Sequence, residues 1–109
     1  MSSNNYGGLT GLPILENAGG SEQINVTSAA VVSLLVPDFA VSCSIVVSDV
    51  LAPTLPCVRF YFGANPSTTA GNPLYDKMYF ELTTPEAMTS IRFRGVDANT
   101  KVLNVQYYR

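Results

Sequence analysis

Histidine is absent from this 109-residue chain, and charged residues make up only 13% of it, about half the usual fraction. The lack of histidine excludes Ser-His-Asp and Cys-His nucleophilic machinery, and it removes a ligand common in zinc and non-haem iron sites. The eight acidic residues show no spacing typical of a glycosidase pair or a calcium loop. We therefore predict a protein that is not an enzyme and that uses no metal or cofactor.

Basic clusters and long apolar runs are also scarce. The net charge is −2, and Arg92 and Arg94 form the densest basic pair, which is too little for direct nucleic-acid binding. The longest apolar run, residues 29–36, is far too short to cross a bilayer. The first residues lack the basic and apolar regions of a secretory signal. The sequence predicts synthesis in a cytoplasm, with no nucleic-acid or membrane partner.

Cysteine is limited to Cys43 and Cys57, each within an apolar, strand-like run. We favour the interpretation that both are small buried hydrophobic residues. A disulfide between neighbouring strands is the alternative, although a chain of this size does not need one.

The first 22 residues differ in composition from the rest of the chain. Five of the eight glycines fall within the first twenty residues, which disfavours a helix. Apolar side chains alternate with them, so the segment is too hydrophobic for an ordinary linker. We predict an extended arm over residues 1–22. Either the arm is an edge strand packed on its own domain, or it contacts a neighbouring subunit through Tyr6, Leu9, Leu12, Ile14 and Leu15.

Residues 23–109 contain seven or eight short stretches of period-two alternation, separated by loops rich in turn-forming residues. The clearest stretch spans residues 39–48, and the last one, residues 91–109, predicts a β-hairpin. Residues 30–36 and 74–82 also carry strand signals, and Thr84 is a candidate helix cap. We predict an all-β domain, an antiparallel β-sandwich or a jelly-roll-like barrel. The absence of tryptophan disfavours an immunoglobulin fold.

Several tyrosine and arginine side chains have the parity opposite to the apolar positions of their strands. Such residues either form a solvated polar face or a subunit interface, where arginine makes bidentate contacts and tyrosine suits interfaces and sugar stacking. The predicted exposed sheet face consists of Arg59, Tyr61, Tyr79, Arg92 and Arg94.

The closing stretch, SIRFRGVDANTKVLNVQYYR over residues 90–109, resembles the ends of small virion proteins of tailed bacteriophages. Members of that group often end in a hairpin with a Tyr-Tyr or Tyr-Tyr-Arg tail. The resemblance implies a structural protein of the phage particle, of the capsid decoration (cement) type. Such proteins bind across major capsid protein subunits, are frequently homotrimers, and reside in a virion assembled in the host cytoplasm.

Other components of the phage particle have similar folds. A neck, tail or fibre protein with a receptor- or glycan-binding role is therefore the alternative that the resemblance leaves open.

Overall fold

A computed structural model describes residues 20–49 and 55–109, which form seven strands and one short helix. Because the strand-like segments alternate apolar and polar residues, each can bury one face of a sheet and expose the other. The elements are β1 (Ser21–Val26), β2 (Ser42–Ser48), β3 (Val58–Phe62), β4 (Asn72–Leu74), β5 (Tyr79–Leu82), α1 (Pro85–Ser90), β6 (Ile91–Gly95) and β7 (Lys101–Tyr108).

The strands form two antiparallel sheets. The four-stranded sheet has the order β1-β7-β2-β5, and the three-stranded sheet has the order β4-β3-β6. The sheets pack face to face around one hydrophobic core, so the prediction of an all-β antiparallel sandwich is confirmed. No helix in the described ranges is long and apolar enough to cross a bilayer.

The core consists of inward-facing side chains from both sheets. Ile45, Leu103 and Val105 come from the four-stranded sheet and are essentially inaccessible to solvent. An aromatic contact joins the two sheets, because the ring of Phe60 in β3 stacks on that of Phe80 in β5 with centroids 6.1 Å apart. Both free cysteines are buried, which agrees with the interpretation of Cys43 and Cys57 as small hydrophobic residues.

The predicted closing hairpin is wrong in its pairing. The segments 91–95 and 101–108 are strands with the expected alternation, but β6 pairs with β3, whereas β7 pairs with β1 and β2. Residues 96–100 therefore cross from one sheet to the other. Local alternation shows which face of a strand is buried, but it carries no information about the neighbouring strand.

Two other strand predictions need correction. The apolar run 30–36 forms no strand; it makes a single bridge, Val32 with Phe93, alongside the outer edge of β6. The run 74–82 is divided between β4 and β5, which lie in different sheets. The interruption includes Lys77 in the left-handed region at φ 67°, and the following Met78 is 40% exposed.

The boundary of the predicted arm lies close to the first strand. Because β1 begins at Ser21, the last two of the predicted arm residues, Ser21 and Glu22, pair with β7. The rest of the arm, including its five apolar contact residues, lies outside the described residues, apart from Gly20. Its role therefore stays a prediction.

Candidate functional site: the two outer sheet faces

Four of the five residues predicted for an exposed sheet face lie together on the outer face of the three-stranded sheet. The register of β3 and β6 places Arg59 opposite Arg94 and Tyr61 opposite Arg92. Their neighbours Phe60 and Phe93 point into the core, so all four side chains point outward, where each is partly exposed. We call Arg59, Tyr61, Arg92 and Arg94 the cationic face.

Backbone carbonyl groups hold the three guanidinium groups of the cationic face. Arg59 donates from Nε to the carbonyl of Thr68 at 3.3 Å and from Nη1 to that of Gly71 at 3.1 Å. Arg94 donates from Nε to Ser28 O at 2.9 Å. These contacts fix the orientation of the side chains without neutralising their charge, because a carbonyl carries no formal charge.

Arg92 is held in a similar way. Its Nη1 donates to the carbonyl oxygens of Thr89 at 2.9 Å and Ile91 at 3.0 Å. Within the described ranges, the ion pairs join Lys101 to Asp49 and to Asp97. No described carboxylate therefore forms an ion pair with the cationic face, which carries three of the six basic residues of an acidic chain.

Tyr79, the fifth predicted residue, does not belong to this surface. It lies on β5 in the four-stranded sheet, and its side chain is 53% exposed on that sheet's outer face. The Tyr79 hydroxyl donates to Glu81, and on the same face Ser44 Oγ and Tyr108 OH are hydrogen-bonded at 3.0 Å. Sequence parity identified Tyr79 as outward-facing, but it could not show which of two sheets contains β5.

The outer face of the four-stranded sheet is dominated by hydroxyl and amide side chains. The amide of Gln23 donates to Asn104 Oδ1 at 2.9 Å across the β1–β7 pair. In these four strands, the one outward-facing charged side chain is that of Glu81. Uncharged polar groups lose less hydration free energy on burial than ions do. We call this surface the polar face; it consists of Ser21, Gln23, Asn25, Ser42, Ser44, Val46, Ser48, Tyr79, Glu81, Val102, Asn104, Gln106 and Tyr108.

A buried ion pair lies at the end of the sandwich where β7 begins. Lys101 is 1% exposed, and its Nζ contacts the carboxylate of Asp97 and lies 3.9 Å from Asp49 Oδ2. It also donates to Asn99 O at 2.8 Å. Lysine at the first inward-facing position of β7 is the sequence signal that would have identified a buried cation, since Leu103 and Val105 share its parity.

Burial changes the acidity of the two thiols inside the sandwich. Burial raises the pKa of the Cys43 thiol to about 11 and that of Cys57 to about 11, which suppresses the reactive thiolate. The backbone N–H of Asp49 donates to Asp76 Oδ1 at 2.7 Å, so the Asp76 carboxylate serves as a backbone cap. Among residues 20–49 and 55–109, no three His, Cys, Asp or Glu side chains converge as metal ligands.

Comparison with known protein families, curated proteins and solved structures finds no match to this chain.

Proposed function

We propose that this chain is a structural protein of a bacteriophage particle, which decorates and stabilises the capsid by binding across major capsid protein subunits. The observation that carries the proposal is the presence of two chemically different outer faces on opposite sides of one sandwich, one cationic and one polar and nearly uncharged. A rigid body with two such faces is able to contact two neighbouring subunits at once. The location in a phage particle is proposed from the resemblance of residues 90–109 to the ends of small virion proteins of tailed bacteriophages.

The mechanism is stabilisation by mass action. A protein that binds the assembled shell, and not its separated subunits, stabilises the shell in proportion to the logarithm of its free concentration over its Kd. The polar face suits this task because few charges have to be desolvated when it is covered. The proposal assigns no catalytic activity to the chain.

The copy number of the chain in purified phage particles tests the proposal. We expect quantitative mass spectrometry to find it in hundreds of copies per particle, comparable in number to the major capsid protein, because decoration follows the symmetry of the shell. About a dozen copies or fewer would assign it to the neck or tail. Its absence from purified particles would refute both assignments.

The predicted arm and the predicted trimer require separate tests. Deleting residues 1–19 keeps Gly20, whose carbonyl accepts a hydrogen bond from Gln106 at 3.0 Å. The shortened chain should therefore keep the circular dichroism spectrum of the sandwich but lose binding to purified shells. Full binding by the shortened chain would exclude a role for the arm. Sedimentation equilibrium of the full chain then measures whether it forms a trimer.

One observation favours the alternative of a tail or fibre component that binds glycans. Tyr79, Glu81 and Tyr108 are neighbours on the polar face, around the buried Ser44, so two phenol groups and a carboxylate share a small area of surface. Aromatic stacking combined with polar groups is suited to sugar rings. A glycan array probed with the chain and with Tyr79→Ala tests this alternative, which requires binding that the variant loses.

A further inference from the structure

We propose that the cationic face binds a carboxylate-rich protein surface, with arginine-carboxylate pairs as its main contacts. The proposal deepens the proposed function, on which it rests for the identity of the partner as a subunit of the particle. The chemistry of the partner is inferred from the geometry of Arg59, Arg92 and Arg94 alone.

The first argument is the arrangement of like charges. Arg59 and Arg94 lie directly opposite each other on β3 and β6, and Arg92 is the diagonal neighbour of Arg59. Directly opposed like charges destabilise a sheet, and opposed side chains begin only about 5 Å apart at Cβ. Like charges on the cationic face therefore repel one another in the free protein, and bound carboxylates reduce that repulsion. Arg59 and Arg94 reach carbonyl groups at opposite edges of the three-stranded sheet, so each pairs with its own carboxylate rather than sharing one.

The second argument is the orientation of the guanidinium groups. Each has five N–H donors in a planar fork, and the described hydrogen bonds use only one or two N–H groups of Arg59 and Arg94. The carbonyl groups of Thr68, Gly71 and Ser28 hold the guanidinium groups of Arg59 and Arg94 in fixed orientations. Part of the conformational entropy of these side chains is already lost in the free protein. Binding a carboxylate through the remaining donors therefore costs less conformational entropy than it would with freely rotating arginines.

The third argument distinguishes carboxylates from nucleic-acid phosphates. Three charges are few for a nucleic acid, whose binding usually requires the neutralisation of several consecutive phosphates. Three guanidinium groups held in separate, fixed orientations are suited to pairing with separate Asp and Glu side chains on a folded protein surface. Tyr61, opposite Arg92, adds an aromatic surface typical of protein interfaces.

The test uses fluorescence anisotropy of a labelled peptide in which glutamate alternates with glycine, titrated with the full chain. A second peptide with glutamine in place of glutamate, and a single-stranded DNA of equal charge, serve as comparison ligands. We expect the glutamate peptide to bind more tightly than either one. Its binding should weaken steadily between about 50 and 500 mM salt, because the contacts are charged and solvent-accessible.

Two double variants that lose the same charge distinguish binding at the cationic face from an effect of the net charge of the chain. Arg59→Gln/Arg94→Gln removes the opposed pair, whereas Lys77→Gln/Arg109→Gln removes two basic residues outside the cationic face. We expect the first variant to bind the glutamate peptide at least about tenfold more weakly and the second to change binding less than about twofold. Arg59→Lys/Arg94→Lys, which keeps the charge but not the planar fork, should give an intermediate loss.

Thermal unfolding of the same variants provides an independent measurement. Arg59→Gln/Arg94→Gln loses three hydrogen bonds to backbone carbonyls but also the repulsion between the opposed arginines, so the two effects oppose each other and the variant should remain folded. Equal weakening by the two double variants, equal binding of the glutamine peptide, tighter binding of DNA, or no peptide binding at all would each overturn the proposal. None of these results depends on the copy number in particles, so this inference and the proposed function fail separately.

Discussion

Gly95, the last residue of β6, lies where the backbone of residues 27 and 28 crosses the edge of the three-stranded sheet. A Cβ atom added at Gly95 would lie 2.8 Å from the carbonyl carbon of Thr27 and 2.9 Å from its Cα. The neighbouring atoms belong to the backbone, which cannot rotate away. Gly95→Ala should therefore lower the free energy of unfolding by about 2 kcal/mol, because the backbone of residues 27 and 28 has to move away from β6. Urea denaturation measures the change.

A matched control for that variant is available at Gly63. A Cβ there would meet nothing within 4 Å, and the backbone is in the left-handed region at φ 72°, which asparagine tolerates. Gly63→Asn should therefore cost up to about 1 kcal/mol, from the left-handed backbone alone. A Gly95→Ala variant as stable as Gly63→Asn would show that residues 27 and 28 move aside easily.

Lys101 is the second single residue with a predicted large effect. Lys101→Met keeps most of the side-chain volume but removes the cation from Asp49, which is itself only 3% exposed. The loss should be about 3 kcal/mol at neutral pH, because it leaves a buried carboxylate without this ion pair. The exposed Lys77→Met is the control for the loss of one charge, and its stability should change by less than about 0.5 kcal/mol.

Urea denaturation at neutral pH measures both lysine variants. A Lys101→Met variant as stable as Lys77→Met would show that the buried ion pair contributes little to the stability of the sandwich.

At the scale of elements, α1 illustrates a local signal that the sequence carries in full. Thr84 Oγ1 accepts a hydrogen bond from Ala87 N at 3.1 Å, Pro85 occupies the first turn, and Met88 is buried against the core. Thr84→Ala should cost about 1 kcal/mol, whereas Thr84→Ser keeps the accepting oxygen and should be nearly neutral. Chemical denaturation of both variants measures the difference, and equal effects would mean that the cap contributes little.

The pairing of elements depends on contacts distant in sequence. The outer edge of β6 is covered by residues 27–32, through Gly95 N to Thr27 O at 3.0 Å and the two hydrogen bonds between Val32 and Phe93. In the sequence, residues 29–36 are simply an apolar run, which favours a buried strand. The run instead shields a sheet edge that would otherwise expose unpaired backbone groups. Nothing within the segment indicates this use.

At the scale of the whole molecule, burial of thiol and phenol groups predicts sensitivity to alkali. Burial raises the pKa of Cys43 and of Cys57 from 9.0 to about 11, and burial together with the Glu22 carboxylate raises the pKa of Tyr107 still further above its ordinary value. The folded state therefore keeps protons that the unfolded state loses. Its stability should fall as the pH rises from about 9 to about 11, by up to about 1.4 kcal/mol per pH unit for each group.

Urea midpoints measured across this pH range test the prediction. In a Cys43→Ala/Cys57→Ala variant the baseline stability is lower because two side chains are truncated, but the slope against pH should be shallower. An unchanged slope would show that the thiols do not account for the alkaline loss and would leave Tyr107 as its main source.

The amino-acid sequence by itself determined the all-β class, the outward parity of Arg59, Tyr61, Arg92 and Arg94, and the cap at Thr84. These features depend on residues a few positions apart, because strand alternation and helix capping are local. The tertiary structure alone decided that β6 and β7 lie in opposite sheets and that Tyr79 is separated from the cationic face. It also decided that Lys101 meets Asp49, 52 positions earlier, inside the sandwich. These outcomes follow from packing two sheets around one core, where the choice of neighbour depends on the whole chain.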